Sequence, residues 1–206
     1  MIKKLALAIL LSTSLCSAAL SSDGVLDVAA PFEIKGADPS LSGDIFLKMD
    51  IAEALVNADA TGRLLPGLAE SWSVSGDGLI WRFVLREGAF HDGSPFTPEA
   101  AAAALDIARA KKGLLSAAPI ESIVADGCDL VISLKEPFGA LPAFLAEYRS
   151  KILAPSAYGA DGIATSVIAT GPFKVTELQA PMSLKTKRNG HVVKLDDRPA
   201  MARHGN

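Results

Sequence analysis

Residues 85–100 read LREGAFHDGSPFTPEA and contain the local signals that decide the fold of this chain. His91-Asp92-Gly93 is typical of a turn, in which the aspartate caps the backbone and the glycine supplies a positive φ. Thr97 is a good N-cap, and Pro98 suits the first position of a helix. Because the alanine-rich residues 100–112 have high helix propensity, the stretch predicts a turn followed by a long helix.

An alternating strand precedes this stretch. In residues 79–86, Trp81 and Phe83 fall on one face of an extended chain, and the polar or smaller side chains fall on the other. A Gly-Asp-Gly turn at residues 76–78 separates this run from an earlier one that contains Trp72. The pattern predicts an antiparallel hairpin, and we expect its three aromatic side chains to form core rather than to stack on a ligand.

The rest of the chain alternates short apolar runs with turn signals, which predicts a mixed α/β fold. The predicted strands are residues 26–30, 120–125, 130–134, 152–154, 173–178 and 182–188, and the predicted helices are residues 45–58 and 142–146, with a loop over residues 35–43.

Residues 1–20 are typical of a secretory signal peptide. Two lysines near the start precede an apolar run that is too short to span a bilayer, and small residues up to Ala19 offer a cleavage site. Cys16 raises the alternative of a lipidated N-terminus, which is less favoured because Leu15 before it is not small. The segment predicts export to the periplasm.

Composition and motifs exclude several function classes. The chain has 20 Lys and Arg against 23 Asp and Glu, a net charge of −3, which argues against a nucleic-acid binder. No nucleophile elbow, phosphate loop or Cys-x-x-Cys supports catalysis, so we predict a protein that is not an enzyme. His91-Asp92-Gly93 lacks the converging ligands that a metal needs, and we predict no metal site and no cofactor. We expect Cys128 to be a buried small hydrophobe rather than a reactive thiol.

Five motifs occur in an order typical of one family: Leu65–Trp72 (LPGLAESW), Trp81–Phe83 (WRF), Leu85–Ala100, Leu134–Phe138 (LKEPF) and Thr170–Val175 (TGPFKV). Together they resemble the family 5 extracellular solute-binding proteins, the peptide/nickel-binding components of ABC importers. The resemblance implies a periplasmic binding protein fold of type II, in which two α/β lobes close on a ligand. It also implies a monomer that captures a short peptide or a nickel chelate and delivers it to an ABC permease.

The resemblance runs from about residue 26 to about residue 189, so we predict a family domain over residues 24–190 and a disordered or non-family tail over residues 191–206. Full members of the family are considerably longer. We therefore expect an N-terminal fragment that holds the first lobe and its N-terminal subdomain. Because closure on a ligand needs both lobes, an alternative is a remnant without transport activity.

Four residues are predicted to contact ligand. Arg149 is similar in position to an arginine that meets chelator carboxylates in nickel-importing relatives, and a guanidinium suits planar recognition of carboxylate. The alternative is a solvated arginine paired with Glu147. Ala30, Phe32 and Ile45 lie in segments that line the cleft floor in relatives, with plain packing as the alternative.

Overall fold

A computed structural model describes residues 33–189 of the chain. The fold is mixed α/β, which confirms the predicted fold class. The helices are α1 (Pro39–Lys48), α2 (Pro98–Arg109) and α3 (Leu141–Leu145). The strands are β1 (Val56–Ala58), β2 (Leu64–Pro66), β3 (Ala69–Val74), β4 (Ile80–Leu85), β5 (Ile120–Asp126), β6 (Asp129–Leu134), β7 (Phe173–Gln179) and β8 (Ser183–Arg188). The predictions for residues 1–20, 26–30 and 191–206 lie outside the described residues.

The central sheet has four antiparallel strands in the order β3-β4-β6-β5. The predicted hairpin is the β3–β4 pair, in which Trp72 lies opposite Phe83. Phe83 is fully buried and Trp81 is 7% exposed, whereas Ile80 and Val84 on the other face are 46% and 39% exposed. The alternation predicted from the sequence is therefore confirmed, and one face of the sheet faces the core.

Helix α2 covers the apolar face of this sheet by packing against β5 and β6. It begins as predicted, because Oγ1 of Thr97 accepts a hydrogen bond from the backbone N–H of Ala100 at 3.2 Å and Pro98 occupies the first turn. It ends at Arg109, three residues before the predicted end at residue 112. We call the cluster between helix and sheet the sheet core; its largest fully buried side chains include those of Phe83, Phe90, Leu105, Leu130 and Ile132.

A second apolar cluster, the hairpin core, forms between α1, two extended segments and the β7–β8 hairpin. Its buried members include Phe46, Ile51, Leu153, Val167 and Ala169, and Phe173, Val175 and Leu184 of the hairpin pack against them. The register of β7 and β8 confirms the hairpin predicted near the end of the family domain. The strands of this hairpin are therefore held by a core that the four-stranded sheet does not share.

The predicted helix over residues 45–58 is wrong in position. The observed α1 spans Pro39–Lys48 and begins inside the predicted loop, because Oδ1 of Asp38 caps it by accepting from the N–H of Ser40 at 3.0 Å. The chain leaves the helix at Asp50, whose φ is +51°. Val56–Ala58 then pairs with β2 as strand β1 instead of continuing a helix.

The predicted strand over residues 152–154 is extended but joins no sheet. The N–H of Ile152 donates to the carbonyl of Glu53 at 2.9 Å, and the N–H of Ala154 donates to the carbonyl of Ile168 at 2.7 Å. Because these two bonds go to different segments, no regular ladder forms. We call residues 168–171, which run along this segment, the strap.

Candidate functional site

Arg149 lies in a short 3-10 turn, Tyr148–Ser150, that Glu147 begins. Oε2 of Glu147 accepts the backbone N–H of Arg149 at 3.2 Å, and Oε1 accepts from Nη1 of the guanidinium at 2.9 Å. The guanidinium carbon stands 4.4 Å from the centre of the Tyr148 ring. The Arg149 side chain is 37% exposed, and that of Glu147 is 9% exposed. The arginine is therefore held at its base and partly open at its surface. The pair with Glu147, which was the alternative to ligand contact, is present, and contact of Arg149 with ligand stays a prediction.

The turn that carries Arg149 packs directly against α1. Gly43 makes this approach possible, because a Cβ at that position would stand 2.2 Å from the carbonyl oxygen of Tyr148. At Gly113 the conflict is smaller, because a Cβ would stand 3.3 Å from Cδ of the flexible Arg149 side chain. Two glycines thus leave the space in which the turn and its arginine fit.

Ile45 lies on α1, the helix that this turn contacts, and is 2% exposed. In this structure the Ile45 side chain is buried by packing, as in the alternative considered for this residue. Contact of Ile45 with ligand stays a prediction. Ala30 and Phe32 lie outside the described residues, so their predicted roles also remain predictions. The structure therefore brings together the elements that carry two of the four predicted site residues.

Charged side chains that were not among the predicted site residues are buried next to this turn. Oε2 of Glu53 accepts from Nη2 of Arg86 at 2.5 Å and from the hydroxyl of Thr170 at 3.0 Å. Lys151, which follows the turn, is 2% exposed. Burial lowers the pKa of Lys151 to about 8, although the carboxylates of Glu53, Asp50 and Glu147 act in the opposite direction. These residues form a buried charge cluster behind Arg149.

The sequence does contain a signal for this cluster. Glu53 interrupts the apolar run Ile51–Val56, and Lys151 precedes the apolar residues 152–154. A charged residue inside an apolar run is buried only with a partner or at a cost, so each position predicts a buried polar contact. The partners of Glu53, which are Arg86 and Thr170, lie more than 30 positions away and cannot be read from the same pattern.

The turn at His91-Asp92-Gly93 forms as predicted. Gly93 has a φ of +87°, and Oδ1 of Asp92 accepts from the backbone N–H and the hydroxyl of Ser94 at 3.0 and 2.6 Å. Both ring nitrogens of His91 lie against backbone groups of residues 169 and 171. Over residues 33–189, no three His, Cys, Asp or Glu side chains come together as a metal site.

The prediction for Cys128 is wrong. The thiol is exposed, because the residue follows Gly127 in the tight turn between β5 and β6 instead of entering the strand core. Gly127 itself has a φ of +64°, which a glycine adopts easily in such a turn. Within the described part of the chain, no helix has the length and apolar character needed to cross a membrane.

Comparison with known proteins identifies the family. The family model for bacterial extracellular solute-binding proteins, family 5 middle, matches residues 63–202. The nickel-binding periplasmic protein of Escherichia coli strain K12 is 32% identical over 173 residues, which cover 74% of this chain and 33% of that protein. The glutathione-binding protein GsiB of Salmonella typhi is 31% identical over 145 residues, covering 66% of this chain and 28% of that protein.

A solved structure extends the similarity to three dimensions. NikA from Brucella suis, in complex with Fe(III)-EDTA, superposes with a TM-score of 0.69 at 30% identity and covers 80% of this chain. The match covers 36% of that protein, so the chain spans about a third of the length of the relatives it matches. The order of motifs, the family model and the superposition agree: the chain belongs to the bacterial extracellular solute-binding proteins of family 5.

Proposed function

We propose that this chain supplies one wall of the ligand cleft in a periplasmic binding component of an ABC importer. The component captures a small carboxylate-bearing solute without covalent chemistry and delivers it to the permease in the inner membrane. The residues of the proposed family domain, 24–190, carry this wall, and the predicted signal peptide directs it to the periplasm. The relatives, named as nickel-binding and glutathione-binding proteins, support the solute class.

One observation carries the proposal: the partly exposed guanidinium of Arg149. Within residues 33–189, the Arg149 side chain uses one of its five N–H donors in a hydrogen bond, which it donates to Glu147. The donors that point away from Glu147 can bind a carboxylate in the paired geometry that guanidinium groups favour. A nickel chelate of amino acids and a short peptide both present such a carboxylate, so the observation supports both ligands.

The neighbouring residues complete the proposed wall. Ile45, on the helix that supports the Arg149 turn, would provide apolar backing, and Ala30 and Phe32 would extend the wall along the segment that precedes α1. The buried cluster around Glu53 and Lys151 holds the base of the turn in place through the bond between Ile152 and the Glu53 carbonyl. Arg149 is therefore the ligand-contacting charge, and the cluster supports it.

The test is a side-chain NMR titration of the chain with nickel(II)–histidine complex, with glutathione and with a short peptide. Because one wall supplies only part of a closed cleft, we expect weak binding. The Nε–H signal of Arg149 should move or broaden first with a carboxylate-bearing probe, and an amidated peptide should have a smaller effect. No change at Arg149 with any of the three probes would contradict the proposal.

Arg63 provides the matched control. It is also an arginine paired with a nearby carboxylate, since its Nε lies 3.0 Å from Oδ2 of Asp59, and its side chain is 72% exposed. The substitution Arg149→Gln should remove the response to carboxylate probes, whereas Arg63→Gln should leave it intact. Equal losses in both variants would mean that the probes bind positive charge without a defined site.

A further inference from the structure

His91 joins the turn before α2 to the strap by three hydrogen bonds. Its backbone N–H donates to the carbonyl of Ala169 at 2.8 Å. The backbone N–H of Ala169 donates to Nδ1 of the His91 ring at 3.3 Å, and Nε2 of the ring lies 2.9 Å from the carbonyl oxygen of Gly171. The ring therefore spans the strap, with one nitrogen at each end.

These contacts define the protonation state of the ring. Because an N–H group of Ala169 points at Nδ1, that nitrogen must carry a lone pair. Nε2 must then carry the proton, since it faces a carbonyl oxygen, which can only accept. The neutral tautomer with hydrogen on Nε2 satisfies both contacts. A second proton on Nδ1 would place two N–H groups face to face.

On its other side, the strap is held by hydrogen bonds that involve no histidine. The N–H of Gly171 donates to the carbonyl of Ile51 at 3.0 Å, and the hydroxyl of Thr170 donates to Glu53. A Cβ on Gly171 would stand 2.3 Å from the carbonyl oxygen of Asp50, so the strap has no space to move toward that segment. On this side the strap is therefore anchored by contacts that do not change when His91 is protonated.

The charges around His91 do not reverse this preference. Lys174 on β7 disfavours the imidazolium, whereas Glu53 behind the strap and Asp92 beside the ring favour it. Partial burial of the ring lowers the pKa of His91 below its ordinary value, and it outweighs the contact with the Gly171 carbonyl and the two carboxylates. The neutral ring is therefore the state that this environment stabilises.

We propose that His91 is a pH-sensitive staple, which holds the strap against the turn before α2 with three hydrogen bonds when the ring is neutral and loses the bond from the Ala169 N–H when Nδ1 is protonated. The strap also binds Ala154, in the segment that follows Arg149, so protonation loosens the support of that region. The inference concerns the fold itself and does not depend on which solute the chain binds.

The sign of the pH effect follows from the direction of the pKa. A histidine with a lowered pKa in the folded state binds fewer protons there than in the unfolded chain. Its contribution to stability is therefore fully present above the ordinary histidine pKa of about 6.5 and is lost as the pH falls toward the folded-state value. For each unit by which the pKa is lowered, the folded-to-unfolded ratio falls about tenfold.

The first test is an NMR titration of the imidazole nitrogens in the full chain. We expect the neutral Nε2–H tautomer for His91 and a pKa below that of a histidine peptide measured in the same buffer. The Nδ1–H tautomer, or a pKa equal to or above the peptide value, would overturn the proposal. This measurement needs no variant and is therefore independent of any folding defect.

The second test compares thermal unfolding from pH 8 to pH 5 in the wild type and in His91→Asn. The amide oxygen of asparagine can accept the N–H of Ala169 and does not titrate, so the acid-dependent loss of stability should be smaller in this variant. His191→Asn and His204→Asn, at the other two histidines of the chain, should keep the wild-type pH dependence. An acid-dependent loss in His91→Asn as large as in the wild type would overturn the proposal.

Discussion

The sheet core and the hairpin core are stabilised by different kinds of interaction. In the sheet core, the aromatic rings of Trp72, Trp81 and Phe83 pack together, and the pairs Arg82–Asp126 and Arg82–Asp129 lie on the exposed face. In the hairpin core and around the strap, charged groups such as Asp38 and Glu53 are buried, and hydrogen bonds join segments distant in sequence. The first region depends on apolar contact area, and the second depends on the protonation and pairing of a few groups.

The largest effect is expected from Phe83→Ala, which breaks the sheet core at its centre. Phe83 is fully buried, with the rings of Trp72 and Trp81 6.4 and 6.3 Å away. Loss of the ring should lower the free energy of unfolding by about 3 to 5 kcal/mol, measured by urea titration. Val84→Ala on the exposed face of the same strand is the control, and a loss of similar size there would mean that burial does not explain the effect.

A smaller effect is expected from Asp38→Asn near the hairpin core. Asp38 is 3% exposed and accepts from Nζ of Lys111 at 2.5 Å and from the N–H of Ala164 at 3.0 Å. Removal of its charge leaves the ammonium of Lys111 without its partner. The free energy of unfolding should fall by about 2 to 3 kcal/mol, less than for a fully buried pair because Lys111 is 22% exposed. Asp44→Asn, on the exposed face of α1, is the matched control.

The difference in the free energy of unfolding between the wild type and Asp38→Asn should depend on pH, and this dependence distinguishes a charge effect from a packing effect. Burial alone would raise the pKa of Asp38, but hydrogen bonds from Lys111, Ala164 and Ser40 together outweigh it and hold the pKa below its ordinary value. The stability that the carboxylate contributes is therefore present above about pH 4 and is lost as the pH falls through the folded-state pKa. A gap between wild type and variant that stays constant down to pH 2 would rule out the charge as the cause.

The smallest effect is expected from Arg82→Gln, on the exposed face of the sheet. The guanidinium contacts Asp126 at 2.6 Å and Asp129 at 2.9 Å, but its side chain is 43% exposed. Exposed ion pairs contribute little because solvent screens them, so urea titration should detect no clear change in the free energy of unfolding. A loss comparable with that of Asp38→Asn would contradict the contrast between the two regions.

The sheet core was also easier to predict from the sequence than the hairpin core and the strap. The β3–β4 and β5–β6 hairpins and the start of α2 were predictable, because alternation, tight turns and the Thr97-Pro98 cap act between residues close in sequence. The same cap signal at Asp38-Pro39 marks the start of α1, six residues before the predicted start at residue 45. The extended residues 152–154 were predicted as a strand because local pattern does not reveal that their partners belong to different segments.

The candidate site was predictable only in part, for a related reason. The resemblance indicated Arg149, and the proximity of Glu147 in the sequence indicated its partner. The contacts of Glu53 with Arg86 and Thr170 span 33 and 117 residues, and the role of Gly43 depends on a close backbone approach. Cys128 was misplaced because the local sequence does not reveal that its thiol is exposed in the turn between β5 and β6.

The position of the strap in the chain has a consequence for the order of folding. Its bonds to His91 and Glu53 close loops of about 80 and 117 residues, whereas the hairpins of the sheet close within a few residues. Closing long loops costs more entropy, and contacts distant in sequence form slowly. The sheet core should therefore form first, and the strap should lock last, after the surfaces on both of its sides exist.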